Sequence, residues 1–203
     1  MHTILLPTSS LTALTEAITV LRNGGLVAIP TDTVYGLAAM ITNGPAINRL
    51  YQAKERSLQK AIAVLIGSLD QIDQVVGYFS EDAHRLARRY WPGALTLVVP
   101  QHPGLPANLS PTPTIGVRMP DHAFTLELLR QIGPLATTSA NISGGPNPRD
   151  AAEVLAQLDG RIELLLDGGP APGGIPSTVV DCTGKELVIL REGAISAEQI
   201  LNV

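Results

Sequence analysis

The sequence predicts an α/β domain built on a twisted, mostly mixed β-sheet surrounded by helices. Three observations carry that expectation. Segments with apolar residues at helical spacing are interspersed with strand-like segments along the whole chain. Several strand-like segments are continuous apolar runs, the pattern of strands buried on both faces. The two kinds of segment do not alternate strictly, so a mixed sheet is expected and not a doubly wound one. No internal repeat or composition shift divides the 203 residues, which are expected to form one domain, 1–203.

The elements follow in order. Residues 3–6 (TILL) predict a short strand. Leu11, Leu14, Ile18 and Leu21 share one helical face, and Asn23-Gly24-Gly25 supplies the stop. LVAIP (26–30) is an apolar run closed by proline and predicts a buried strand. A helix over 45–54 places Ile47, Leu50 and Tyr51 inward, and AIAVLI (61–66) is another buried strand. Ser80 is placed to cap a helix that runs to Tyr90 and stops at Trp91-Pro92-Gly93. Strands are expected at 94–100 and 114–120, joined by a proline-rich loop. A helix at 121–132 buries Phe124, Leu128, Leu129 and Ile132, and PLATTSAN (134–141) is a strand that runs into polar residues. Asp150 and Glu153 open a helix over 151–158. IELLLDGG, STVVD and ELVILREG predict three more strands, and Ser196 with Gln199 caps a final helix.

Composition narrows the function. Hydrophobic residues make up 45% of the chain and aromatics 3%, so the core is aliphatic. The net charge of −4 and the absence of a basic run argue against strong nonspecific nucleic-acid binding. Cys182 is the sole cysteine, which rules out an intrachain disulfide and suits a reducing, cytoplasmic setting. The first residues carry neither a charged n-region nor a long apolar stretch, and no run approaches 18 apolar residues. Neither a signal peptide nor a membrane span is expected.

The chemistry-bearing residues collect at the ends of apolar strands. TDTVYG follows the strand at 26–30, Arg118 ends the one at 114–117, and Thr138, Ser139 and Asn141 close the one at 134–137. Ser177 and Thr178 begin STVVD, and Arg191 ends the strand from 186. Neighbouring strand ends meet on one rim of a sheet, where α/β proteins hold ligands. Lys54, Arg56, Lys60, Arg118 and Arg191 together match the charge of a triphosphate and a carboxylate. Each has a plainer reading alone: Lys54 and Arg56 as a solvated helix end, Arg191 as the partner of an adjacent glutamate, Thr31, Thr33 and Ser177 as turn or cap residues. A lysine at a helix end is expected to contribute little to the melting temperature. The four histidines lack metal-ligand spacing, and neither a Walker motif nor a G-x-S-x-G motif is present.

PTDTVYGLAA, KER before an apolar strand, TSANISG, STVVD and LREG occur in this order between about residues 10 and 193. In these blocks the chain resembles the YrdC/Sua5 family of L-threonylcarbamoyladenylate synthases, in the short single-domain form. The resemblance implies an open basic cavity for threonine and ATP. By motif position it implies that Thr33, Arg118, Thr137, Thr138 and Ser177 bind threonine, with Arg118 on its carboxylate. Arg56, Lys60, Thr114, Ser139, Asn141, Asn147 and Arg191 fall to the nucleotide, and Lys54 and Arg56 to catalysis. The chain departs from the family pattern at Ser57, at Lys60-Ala61, at Leu65 and at Pro176. Tyr35 is expected to shape the cavity wall, and Asp32 either to attract the ammonium group or to hold a cation.

The implied reaction joins L-threonine, bicarbonate and ATP into threonylcarbamoyl-AMP and pyrophosphate. Magnesium is expected to arrive on ATP, and a downstream tRNA threonylcarbamoyl transferase to take the product, with weak contact to tRNA itself. Two rivals stand beside it. One is a double-stranded RNA or tRNA-binding module that uses the same basic cavity, disfavoured by the acidic net charge and few aromatics. The other is a carbamoyl-transfer domain of the hydrogenase-maturation type, disfavoured by the single cysteine.

Overall fold

The computed structural model describes residues 2–203. Among these residues ten strands form one mixed sheet, in the order β1-β8-β2-β3-β7-β4-β6-β5-β9-β10. They are β1 (Ile4–Pro7), β2 (Val27–Ile29), β3 (Gly36–Met40), β4 (Ala63–Leu65), β5 (Leu95–Pro100), β6 (Thr114–Arg118), β7 (Leu135–Ser139), β8 (Leu164–Asp167), β9 (Thr178–Asp181) and β10 (Val188–Arg191). Six α-helices accompany them: α1 (Ala13–Arg22), α2 (Gly44–Ala53), α3 (Glu81–Tyr90), α4 (Ala123–Ile132), α5 (Ala151–Leu158) and α6 (Ala197–Leu201). Parallel pairs (β1 and β2 with β8, β4 with β6, β5 with β9) mix with antiparallel ones (β2–β3, β3–β7, β4–β7, β5–β6, β9–β10).

Most predicted elements fall within a few residues of where the periodicity puts them. Strand β3 was not foreseen. Its sequence, GLAAM, has no β-branched residue, and its claim to be a strand comes from pairing on both sides with β2 and β7. A 3₁₀ helix over Leu69–Gln74 also lies in a stretch without helical periodicity, where Gln71 bonds the Gly67 N–H and the Leu129 carbonyl. The anticipated caps form at Ser80, Asp150 and Ser196, the last as a reciprocal capping box with Gln199.

Strand alternation sorts the sheet into two faces. Leu37, Val64, Leu97, Val117, Ala136 and Val180 point to one face and join the larger core with α2, α3 and α5. On the other face, α1 and α4 pack on Val27, Ile29, Ala38, Leu65, Leu135, Leu164 and Leu166. These two helices do not cover the whole of that face. Beyond them its residues are Gly36, Ala63, Thr96, Val98, Gly116, Arg118, Thr137 and Val179, and these line a cavity. Among the described residues, no helix is long and apolar enough to cross a membrane.

Candidate active site

The cavity holds about 370 Å³ and is open at one side. Its lining includes Arg56, Arg118 and Arg191, with Thr31, Thr33, Tyr35, Thr96, Thr137, Thr138, Ser139, Ser177 and Asn147, and no aspartate or glutamate. Three guanidinium groups in the lining, one of them paired with Asp32 behind it, give the cavity a positive character that favours anions. Among the described residues, no group of three or more His, Cys, Asp or Glu side chains is placed to hold a metal ion.

The TDT turn builds one end. Thr31 Oγ1 accepts from the Thr33 N–H at 3.1 Å and donates to the Val34 carbonyl at 2.7 Å, which folds the chain back on itself at the end of β2. The turn is tied down from outside. Gly173 and Gly174 donate to the carbonyls of Asp32 and Thr33, and Tyr35 donates its N–H to Pro148. The Tyr35 hydroxyl donates to the Gly169 carbonyl at 2.7 Å and accepts from the Gly168 N–H at 3.1 Å. Burial pushes that phenol up to about 12.

Arg118 spans this turn and the far wall. Its Nε donates to the Gly93 carbonyl at 2.9 Å, one terminal nitrogen donates to Thr33 Oγ1 at 2.7 Å, and the other is ion-paired with Asp32. Asp32 Oδ1 also accepts the Asp121 N–H at 3.0 Å. Asp32 therefore holds the pocket cation. Burial lowers the Arg118 pKa, as does nearby Arg191, while Asp32 opposes both.

Arg191 approaches from β10. Its Nε and one terminal nitrogen both donate to the Ser177 carbonyl, at 3.1 and 2.8 Å, and the same nitrogen lies 3.3 Å from Ser177 Oγ. Arg56 enters after an unusual turn. Glu55 has φ of +52°, a left-handed conformation rare for residues other than glycine, and its carboxylate meets Arg161 at 2.7 Å. That turn separates the two cations of KER. Arg56 faces the cavity and donates to the carbonyls of Lys60 and Ala61 at 3.2 and 2.8 Å.

Lys54 turns the other way. It is 1% exposed, and its ammonium reaches the carbonyls of Ser139 and Asn141 and, at 3.4 Å, Asn141 Oδ1. Its own carbonyl accepts the Ser143 N–H at 2.8 Å. Lys54 thus clamps the segment that leaves β7. Burial, with Arg56 adding to it, brings its pKa down to about 7.

The family model described as "Telomere recombination", for Sua5, YciO and YrdC proteins, matches residues 19–193. The chain belongs to the Sua5/YciO/YrdC family. It is 43% identical over 188 residues to the Threonylcarbamoyl-AMP synthase of Bacillus subtilis, with 91% of the chain and 54% of that protein covered. A Mycobacterium tuberculosis relative is 42% identical over 93% of the chain and 87% of its own length. The crystal structure of Pyrococcus abyssi Sua5 complexed with L-threonine superposes with a TM-score of 0.91 at 39% identity, covering 93% of this chain and 56% of that one. The chain thus spans about half the length of the Bacillus and Pyrococcus proteins.

In this Sua5/YciO/YrdC domain, Thr33, Arg56, Arg118, Thr137, Thr138, Ser139, Asn147, Ser177 and Arg191 share the cavity. Lys54, Lys60, Thr114 and Asn141 do not line it. Lys60 is exposed, and its carbonyl rather than its ammonium meets Arg56 and Tyr51. Thr114 starts β6 opposite Pro100, with its hydroxyl on Thr112. Asn141 is buried and bonds the carbonyls of Ile142 and Gly145, shaping the loop that delivers Asn147.

Sequence reasoning missed Thr96, a lone hydroxyl in LTLVV. The one available signal was its parity, since Leu95, Leu97 and Val99 take the core face. Gly36 has a steric reason: a Cβ there would meet Thr137 Cγ2 at 2.8 Å. Gly36→Val is expected to displace Thr137 and cost about 1–3 kcal/mol by overpacking. Urea unfolding checks it, and an unchanged midpoint would mean that β3 and β7 have room to spare.

Proposed function

We propose that this chain is an L-threonylcarbamoyladenylate synthase, forming threonylcarbamoyl-AMP and pyrophosphate from L-threonine, bicarbonate and ATP. The product serves the N6-threonylcarbamoyl modification of tRNA adenosine and passes to a separate tRNA-acting transferase in the cytoplasm. The observation that carries this reading is the cavity lining: three arginines with several threonines and serines, and no acidic, histidine or cysteine residue.

Such a lining suits chemistry that needs positioning and charge neutralisation and no protein nucleophile. The threonine amine and bicarbonate give a carbamate and water. A carbamate oxygen attacks the α-phosphorus, and pyrophosphate leaves on the opposite side. Three N–H groups of Arg118 are already engaged, so the remaining ones are the donors for the amino-acid carboxylate. Thr33, Thr137, Thr138 and Ser177 take the polar groups of threonine. Arg56 and Arg191, with Ser139 and Asn147, take the phosphates and stabilise charge as the anhydride bond breaks. Magnesium comes with ATP as part of the substrate and keeps most of its waters. Lys54 acts through the Ser139–Asn141 backbone that it clamps.

The purified chain, free of RNA and other proteins, is expected to release pyrophosphate only when ATP, threonine and bicarbonate are all present. Serine is expected to be a poorer but real substrate, because one methyl group discriminates by only ~1–3 kcal/mol. Release without threonine would mark a plain ATPase. No release, together with tight RNA binding, would favour an RNA-binding module.

A further inference from the structure

Thr96 stands where the sheet has no need of a hydroxyl. It lies in β5 between Leu95 and Leu97, which enter the core, and faces the cavity beside Val98. Val98, two residues further on, faces the same cavity with an aliphatic side chain. Thr96 is 8% exposed, and a buried hydroxyl requires a partner. That partner is Ser177 Oγ at 2.7 Å, on the segment that starts β9. Ser177 is 6% exposed and carries Arg191, which donates twice to its carbonyl and lies 3.3 Å from its hydroxyl.

Proton counting constrains this chain of groups. Arg191 is donor-only, so Ser177 Oγ accepts from it. If Thr96 also donates to Ser177, both lone pairs of Ser177 are filled and its own proton is left for the cavity. If Ser177 donates to Thr96, the Thr96 proton is left. Either way the pair presents one O–H beside a guanidinium, a combination that fits an anionic oxygen. The same bond ties Ser177, at the start of β9, and Arg191, on edge strand β10, to strand β5 further inside the sheet. The fit is close: a Cβ at Gly116 would meet Thr96 Cγ2 at 3.0 Å, so the neighbouring strand leaves room for this side chain and little more.

We infer that Thr96 is a positioning residue for the nucleotide, holding Ser177 in place so that Arg191, which is bonded to it, stays in register to bind the phosphates. This rests on the nucleotide-binding reading of the cavity given above. The isosteric Thr96→Val removes the hydroxyl and keeps the volume, and Thr96→Ser keeps the hydroxyl and removes the methyl.

The test is calorimetric titration of wild type, Thr96→Val and Thr96→Ser with ATP and with inorganic tripolyphosphate, alongside thermal melts. Thr96→Val is expected to weaken both ligands about tenfold, the worth of one hydrogen bond to a charged network, and Thr96→Ser to recover most of that loss. A general packing defect would lower the melting temperature and would not be rescued by the smaller serine. Wild-type affinity in Thr96→Val, or equal losses in both variants, would overturn the inference while leaving the nucleotide site standing. A wild-type chain that binds neither ATP nor tripolyphosphate would overturn the nucleotide reading and this inference with it.

Discussion

Arg118→Ala is expected to weaken L-threonine binding by about a hundredfold while ATP loses less than about tenfold, because charge-assisted contacts to a carboxylate are worth ~1.5–3 kcal/mol each. It is also expected to cost the fold about 3–5 kcal/mol, the penalty for breaking a buried ion pair from one side. The pair is well enclosed, with side-chain exposures of 8% for Arg118 and 14% for Asp32. Without the guanidinium, Asp32 keeps the Asp121 N–H as its remaining donor, and Thr33 Oγ1 loses its 2.7 Å donor. Calorimetric titration of each ligand and urea unfolding read the two effects separately. Adding Asp32→Asn to Arg118→Ala removes the stranded charge. The double variant is expected to regain part of the stability and none of the threonine affinity. Equal losses for threonine and ATP would sink the carboxylate assignment. Unchanged stability would mean that the Asp32 pairing contributes nothing.

Lys54→Met is expected to abolish pyrophosphate release and to lower the melting temperature by an amount on the order of 10 °C, from two stranded carbonyls at about 1–3 kcal/mol each. This departs from what a lysine at a helix end suggests, which is a nearly silent substitution. The difference is burial: Lys54 is 1% exposed, and its ammonium serves Ser139, Asn141 and the Asn141 side chain.

The stability effect should also depend on pH. The Lys54 pKa is about 7 in the folded chain against an ordinary 10.5, lowered by burial and then by Arg56. Between those values the unfolded chain binds the proton that the folded chain has released. Stability from this group therefore rises with pH across the window and is least below about pH 7. Urea unfolding of wild type and Lys54→Met at pH 6, 8 and 9.5 is expected to show a gap that widens with pH. A constant gap would place the amine outside the buried setting described here, and a silent melting curve would restore the helix-end reading.

What the sequence by itself determined is the part governed by local rules. Apolar runs too long and too regular for a surface marked most of the strands, and helical spacing with caps at Ser80, Asp150 and Ser196 marked the helices. Motif order from PTDTVYG to LREG pointed to the family and to the cavity residues Thr33, Arg56, Arg118, Ser177 and Arg191. The tertiary structure decided what depends on partners distant in the chain. Strand β3 exists because β2 and β7 pair with it, and GLAAM alone has little strand propensity. Lys54 and Arg56 are two residues apart and look alike in sequence, yet the left-handed turn at Glu55 sends one into the protein and the other to the cavity. Asp32 had two equally good uses in sequence, and the choice fell to Arg118 because β6 ends beside the TDT turn. Thr96 carries no local signal beyond parity, since a hydroxyl in a strand acquires its role only from what another strand brings within 2.7 Å of it. Local propensity is a property of neighbouring residues, whereas charge pairing and hydrogen bonding are properties of position in space.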